Sequence, residues 1–192
     1  MSDLEERDVV DILTDDHEKM VALAERVHST SDPEMRRNIA DTVTAEVVRH
    51  AVAEEMYVYP AIIDLVPDGR DEVDHDEAEH QQLMETMKKL EGLDADDPAF
   101  SSTFDDLIDQ LRHHASDEEN DQFPKLRRVL NDEDLVEMGR KVEAAKLVAP
   151  TRPHPDAPHS ELFHKTVGPG VGLVDRLRDV LAGRMTKEDH IE

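Results

Sequence analysis

His50-Ala51-Val52-Ala53-Glu54-Glu55, running on to Tyr59-Pro60, returns 64 positions later as His114-Ala115-Ser116-Asp117-Glu118-Glu119, running on to Phe123-Pro124. Both stretches read His-Ala-x-x-Glu-Glu-x-x-x-aromatic-Pro. On a helix, the His and the first Glu stand one turn apart on the same face. Apolar residues recur around each at three- and four-residue steps, which makes both stretches parts of amphipathic helices.

Working outward from the first copy, Asp32 and Pro33 supply an N-cap and first-turn proline for a helix from about 33 to Tyr59. A kink or break is expected at Pro60, with a further turn to Leu65. Its inward stripe reads Ile39, Val43, Val47, His50, Glu54 and Tyr57. The second copy closes a helix from about 98 to Phe123, opened by Asp97-Pro98, with the stripe Phe104, Leu107, Leu111, His114 and Glu118. That stripe selects His114 as the inward histidine, because His113 lines up with Asp106, Gln110 and Asp117. Each of these helices is preceded by another carrying one inward histidine. The first spans about 8–28, with Val10, Leu13, His17, Met20, Ala24 and Val27. The other spans about 71–91, with Val73, Asp76 or Glu77, His80, Leu83, Met87 and Leu90, leaving His75 off the stripe.

The duplication covers the whole unit: His17 to His80 is 63 residues, and His50 to His114, Glu54 to Glu118 and Pro60 to Pro124 are each 64. Helix(His)–helix(His-x-x-x-Glu), given twice with short loops, predicts an all-α, up-down-up-down four-helix bundle with an approximate two-fold axis over residues 1–130. Residues 131–192 form a C-terminal extension. It begins with an amphipathic helix over 132–146, capped by Asp132, with Leu135, Met138, Val142 and Ala145 aligned. A strap follows over 148–158, holding four prolines in eleven residues. A last short helix over about 171–183 aligns Val174, Leu177 and Leu181, and the chain is expected to fray from Met185. Gly168-Pro169-Gly170-Val171-Gly172 follows no strand and lacks a Lys-Ser/Thr, so it reads as a turn rather than a phosphate loop.

Composition narrows the function. With 47 acidic residues against 22 Lys and Arg, the formal charge is −25, which opposes binding to nucleic acid or to an anionic membrane. Without cysteine there is no disulfide, thiolate metal site or Cys nucleophile. The acidic opening Met1-Ser2-Asp3-Leu4-Glu5-Glu6 is no signal peptide, and no apolar run approaches the ~20 residues of a membrane span. The expected location is cytoplasmic.

The chemistry lies in the inward polar groups. Burying an unpaired carboxylate costs several kcal/mol even after relaxation. Glu54 and Glu118 sit on apolar stripes that contain no Lys or Arg, so a metal centre is the expected source of positive charge. Four histidines and two carboxylates from four antiparallel helices suit a dinuclear site, with the carboxylates bridging two ions and imidazoles capping each. Nitrogen and oxygen donors suit iron, manganese or zinc alike. His154, His159, His164 and His190 in the tail are weak candidates for a second metal site, against solvated or packing roles.

An isolated His, a His-x-x-x-Glu, a second His and a second His-x-x-x-Glu over residues 8–125 resemble the hemerythrin and HHE cation-binding family. The ending Thr151-Arg152-Pro153-His154-Pro155, followed by Val167-Gly168-Pro169-Gly170-Val171-Gly172-Leu173-Val174-Asp175-Arg176-Leu177, resembles the tail of actinobacterial hemerythrin-like proteins. The resemblance implies a cofactor of two iron ions, an oxo- or hydroxo-bridged non-haem centre held by His17, His50, Glu54, His80, His114 and Glu118. It also implies that small diatomic ligands or hydrogen peroxide are the partners. The oxygen carriers of the family have a further His about one turn before the position of His80, where this chain has Asp76 and Glu77. Either acid could bind, Tyr59 could reach in as a phenolate, or the position could be open. An anionic oxygen in place of an imidazole stabilises the ferric state, and an open position admits peroxide. The expected activity is therefore reaction with dioxygen, peroxide or nitric oxide in oxidative or nitrosative stress, with a catalase- or peroxidase-like cycle in view, ahead of reversible oxygen transport. The competing readings are a non-catalytic oxygen, redox or iron sensor, whose tail could engage another copy of the chain, and a metal-storage module.

Overall fold

The computed structural model describes residues 7–158 and 161–188 and is all-α, as the patterning predicts. Four long helices form the bundle: α1 (Val9–Glu25), α2 (Pro33–Leu65), α3 (Gly69–Glu91) and α4 (Pro98–Asp117). They close a ring in which α1 meets α2 and α4, and α3 meets α2 and α4. Each start has a local cause. The Asp8, Asp32 and Asp97 side chains accept backbone N–H groups of α1, α2 and α4, and Pro33 and Pro98 occupy the first turn. The turn between α2 and α3 is tight. Asp68 adopts a left-handed conformation at φ 61°, and a Cβ on Gly69 would lie 2.2 Å from the Ile62 carbonyl oxygen. Only glycine allows that approach.

The proline-ended copies differ from expectation in opposite ways. α2 runs unbroken through Pro60 to Leu65, with Tyr59 and Ile62 buried on either side to hold it in place. The other copy widens into a π turn, Glu118–Gln122, in which the Phe123 N–H bonds to the Glu118 carbonyl five residues back. The wider turn makes room for the Pro124 ring, which would otherwise press on the carbonyl of residue 120. The rod then continues as α5 (Phe123–Val129), burying Phe123 and Leu126, beyond the predicted stop.

The bundle stripes fall inward as read, with one exchange: Tyr59 is buried and Tyr57 only partly so. Tyr59 turns toward His80 of α3, whereas Tyr57 lies on the flank covered by the C-terminal helices, with Lys165 over its ring. α6 (Asp132–Val148) lies along α1 and α2, and α7 (Glu161–Thr166) also packs on α2. The cap of α6 is Asn131 rather than Asp132: its side chain accepts the Asp134 N–H.

The last helix, α8 (Gly168–Ala182), begins inside the Gly-Pro-Gly-Val-Gly segment predicted as a turn, and its aligned Val174, Leu177 and Leu181 face solvent. Its inner face is polar. Asp175 and Asp179 are buried against the strap, where the His154 ring donates to Asp175 at 2.8 Å and Arg152 Nε donates to Asp179 at 2.8 Å. Gly172 lets α8 close on the Val148 carbonyl, which a Cβ would approach to 2.3 Å. Arg184 reaches Asp41 at 3.2 Å and Asp179 at 3.3 Å, and Met185 packs on the core, so the chain is held past the point where fraying was expected. Among the described residues no helix is long and apolar enough to cross a membrane.

Candidate metal centre

The six sequence-predicted ligands come together in the middle of the bundle, and all are buried: His17 from α1, His50 and Glu54 from α2, His80 from α3, His114 from α4 and Glu118 from the π turn. They fall into two halves. His17 Nε2 and His50 Nε2 are 3.0 Å apart, and His80 Nε2 and His114 Nε2 are 3.1 Å apart. The two carboxylates lie between the pairs. Glu54 Oε1 is 3.1 Å from His50 Nε2, and its Oε2 is 3.5 Å from His80 Nε2. Glu118 Oε2 is 3.4 Å from His17 Nε2 and 3.6 Å from His114 Nε2. Each carboxylate therefore touches both imidazole pairs, the disposition required of a bridge.

Behind every imidazole stands an acid. Glu119 Oε1 is 2.8 Å from His17 Nδ1, Asp16 Oδ2 is 3.4 Å from His50 Nδ1, Glu55 Oε1 is 2.9 Å from His80 Nδ1 and Glu79 Oε2 is 2.9 Å from His114 Nδ1. A proton held at Nδ1 by a carboxylate leaves the Nε2 lone pair as the donor atom, and all four Nε2 atoms point inward. The pattern obeys the internal repeat: Glu119 and Glu55 are the second residues of the two Glu-Glu pairs, and Asp16 and Glu79 each precede an inward histidine. Sequence reading by apolar stripes passed over these four acids. The signal for them lay in the duplication itself, which repeats acid-His as well as Glu-Glu.

The electrostatics mark the same cluster. Burial alone would lower the pKa of His50, but Glu54 and Asp16 beside it push it up to about 10. His80 is likewise opposed by burial, yet Glu54 and Glu55 raise it well above the ordinary imidazole range, and Glu118 and Glu79 raise His114. Burial opposes ionisation of Glu54, but His50 and His80 hold its carboxyl well below its usual range. In the metal-free chain, protons on the imidazoles thus balance the acids. They do so incompletely as hydrogen bonds, since both oxygens of Glu54 and Oε2 of Glu118 face imidazole Nε2 atoms without a well-aligned hydrogen bond to any of them. Oxygens and nitrogen lone pairs converging in this way fit a group of cations, and two overlapping sets meet that description: His17, His50, His114 and Glu118, and Glu54, His80 and His114.

The three further candidates separate. The Tyr59 hydroxyl lies 3.1 Å from His80 Nε2 and 3.3 Å from Glu118 Oε1, inside the cluster. Asp76 is buried beside it and accepts a hydrogen bond from Gln122. Burial, reinforced by Glu118, pushes its carboxyl up to about 7. Asp76 belongs to a group with Glu79 and His114, and it also lines a cavity of about 540 Å³ that opens between α3 and the π turn. Glu77 is half-buried and belongs to none of the converging groups among the described residues. The tail histidines do not build a second such group among the described residues: His154 pairs with Asp175 and His164 with Glu55, while His159 and His190 lie outside them.

The family model for the hemerythrin HHE cation binding domain matches residues 8–126. An uncharacterized hemerythrin-like protein of Schizosaccharomyces pombe is 29% identical over 174 residues, covering 90% of this chain and 86% of that protein, so the likeness runs past the bundle into the extension. A DNA nickase of a Nostoc species is 25% identical over 145 residues, 76% of this chain but only 41% of its own length. The crystal structure of a hemerythrin HHE cation binding domain-containing protein from Mycobacterium kansasii superposes with a TM-score of 0.64 at 22% identity, covering 73% of this chain and 86% of that one.

Proposed function

Since the chain belongs to the hemerythrin HHE cation binding family, we propose that it is a non-haem di-iron protein that binds and reacts with dioxygen, peroxide or nitric oxide. The observation that carries this reading is the pair of buried carboxylates set between two imidazole pairs, with three oxygens that face imidazole nitrogens yet make no well-aligned hydrogen bond. One ion would take His17 and His50, the other His80 and His114, with Glu54 and Glu118 shared. When bound, the iron pair supplies a one- or two-electron redox couple and open coordination for a small ligand.

The chain's own residues favour reaction over reversible carriage. Tyr59 places an oxygen donor beside His80 in the half that has one imidazole fewer than the oxygen carriers. Its phenol is held neutral in the metal-free chain, because burial and the surrounding acids push its pKa well above the ordinary value. With a cation held in the site, Tyr59 could instead serve as a phenolate ligand. Asp76, held by Gln122, lines the 540 Å³ cavity and places a carboxyl beside the centre, where it could hold a proton or receive one. A small uncharged ligand is the size and polarity that such an acid-lined opening admits. The formal charge of −25 opposes contact with a phosphate backbone, so the activity named for the Nostoc protein is not carried to this chain.

The test is to load the protein with iron, add hydrogen peroxide and follow oxygen evolution and the optical spectrum together. Turnover that disappears in Glu54→Gln is expected. Repeated binding and release of oxygen by the reduced protein without autoxidation would refute the preference for reaction over carriage.

A further inference from the structure

The four acids behind the imidazoles are not equally supported. Glu119 is partly exposed, and beyond His114 the ion-pair partners of Glu79 among the described residues are His75 and His113, both at 3.5 Å and largely in solvent. The other two are met by residues from the C-terminal extension. His164 of α7 places Nε2 2.6 Å from Glu55 Oε2, while Glu55 Oε1 takes the Nδ1 proton of His80. Lys146 of α6 donates to Asp16 Oδ2 at 2.6 Å, and the same oxygen faces His50 Nδ1 at 3.4 Å. His164 and Glu55 are nearly inaccessible, and the Lys146 and Asp16 side chains are 16% and 17% exposed, so these contacts are little screened by water. One histidine of each imidazole pair is therefore tied through a carboxylate to a residue outside the bundle: His50 in one half and His80 in the other.

We propose that the C-terminal extension is a working part of the metal centre, with His164 and Lys146 as positioning residues that fix Glu55 and Asp16 and, through them, the ring orientation of His80 and His50. This rests on the metal-centre reading above. The physical basis is the restraint of a donor. An imidazole free to rotate presents its Nε2 lone pair to the ion for only part of the time, whereas one whose Nδ1–H is held by an anchored carboxylate presents it continuously. A carboxylate with a single partner can swing away. One held at both oxygens, as Glu55 is, or gripped by a lysine, as Asp16 is, cannot.

Cobalt(II) titration of the full-length, metal-stripped protein tests this, read by the visible d–d bands and by competition with a chelator, with circular dichroism to verify the fold. The wild type is expected to take two equivalents. His164→Ala and Lys146→Met should each weaken one of the two equivalents about tenfold, the scale of outer-shell changes at metal sites, and alter its d–d bands. His164→Gln, which keeps a donor at similar reach, and Lys146→Arg should stay within about threefold of wild type. Lys141→Met removes the same charge from exposed α6 without touching the centre and should titrate as wild type. Wild-type affinity and bands in both His164→Ala and Lys146→Met would overturn the proposal while leaving the metal centre standing. So would a folded His164→Gln as impaired as His164→Ala, since packing rather than a hydrogen bond would then be the cause. A wild type that bound no cobalt would overturn the metal-centre reading and this proposal with it.

Discussion

Stripping the metal should cost more stability the higher the pH. In the metal-free chain the imidazoles carry the positive charge that the buried acids require, and His50, raised to about 10, is one of them. An unfolded histidine titrates near 6.5, so its raised folded value contributes stability that is fully present below pH ~6.5 and lost as pH rises to about 10. One proton difference changes stability by about 1.4 kcal/mol per pH unit. For a domain of this size 1 kcal/mol moves Tm by about 2–4 °C, so His50 alone predicts a fall of roughly 3–6 °C per pH unit in the metal-free protein. His80 and His114 shift in the same direction. On the proposed reading the metal-loaded protein would have its Nε2 lone pairs committed to the ions, and between pH 6.5 and 9.5 its Tm should not follow this slope. The assay is calorimetry of chelator-treated and metal-loaded samples at unit steps across that range. The gap between them should widen steadily, and less so in Glu54→Gln, where the main charge raising His50 is gone. A gap that stayed constant or narrowed would refute the reasoning.

Tyr59→Phe removes only the hydroxyl 3.1 Å from His80 Nε2, so the fold and a content of two irons should survive. A phenolate-to-iron band in the visible spectrum should vanish, and an unchanged spectrum would exclude Tyr59 as a ligand. Gly172→Ala drives a Cβ into the Val148 carbonyl at 2.3 Å and should destabilise the docking of α8 by about 1–3 kcal/mol, seen as faster amide exchange confined to α8 and the strap. Acid should loosen the same contact. Burial alone would raise the Asp175 carboxyl, but the His154 ring holds it below its ordinary value, so its stabilisation is present above pH ~4 and lost as pH falls further. Exchange protection of α8 should therefore fall in acid for the wild type and be weak at every pH in Asp175→Asn.

The bundle was legible because its information is periodic. His17, His50, His80 and His114 fall in register with leucines, valines and phenylalanines at three- and four-residue steps, and a duplication checks each against its partner. The choice of His114 over His113 needed nothing else. What escaped was set by contacts between elements distant in sequence. Tyr59 is the inward tyrosine, its hydroxyl against His80 and Glu118, while Tyr57 lies toward Met138 of α6 and beneath Lys165 of α7, and no periodicity within α2 records helices that pack on it more than 70 residues later. The face of α8 was readable as apolar but not as outward. Its inner side is decided by Asp175 and Asp179 meeting His154, Thr151 and Arg152 of the strap, a polar fit that hydrophobic patterning does not encode. His164 escaped for the same reason. Its role depends on one carboxylate, Glu55, 109 positions away.

The central claim is that two ions are shared by Glu54 and Glu118 between two histidine pairs. Anomalous diffraction at the iron edge from crystals of the iron-loaded protein tests it most directly. Two peaks are predicted, one against His17 and His50 and the other against His80, His114 and Tyr59, with Glu54 spanning them. A single peak, or two that leave Glu54 and Glu118 out of the coordination, would contradict it.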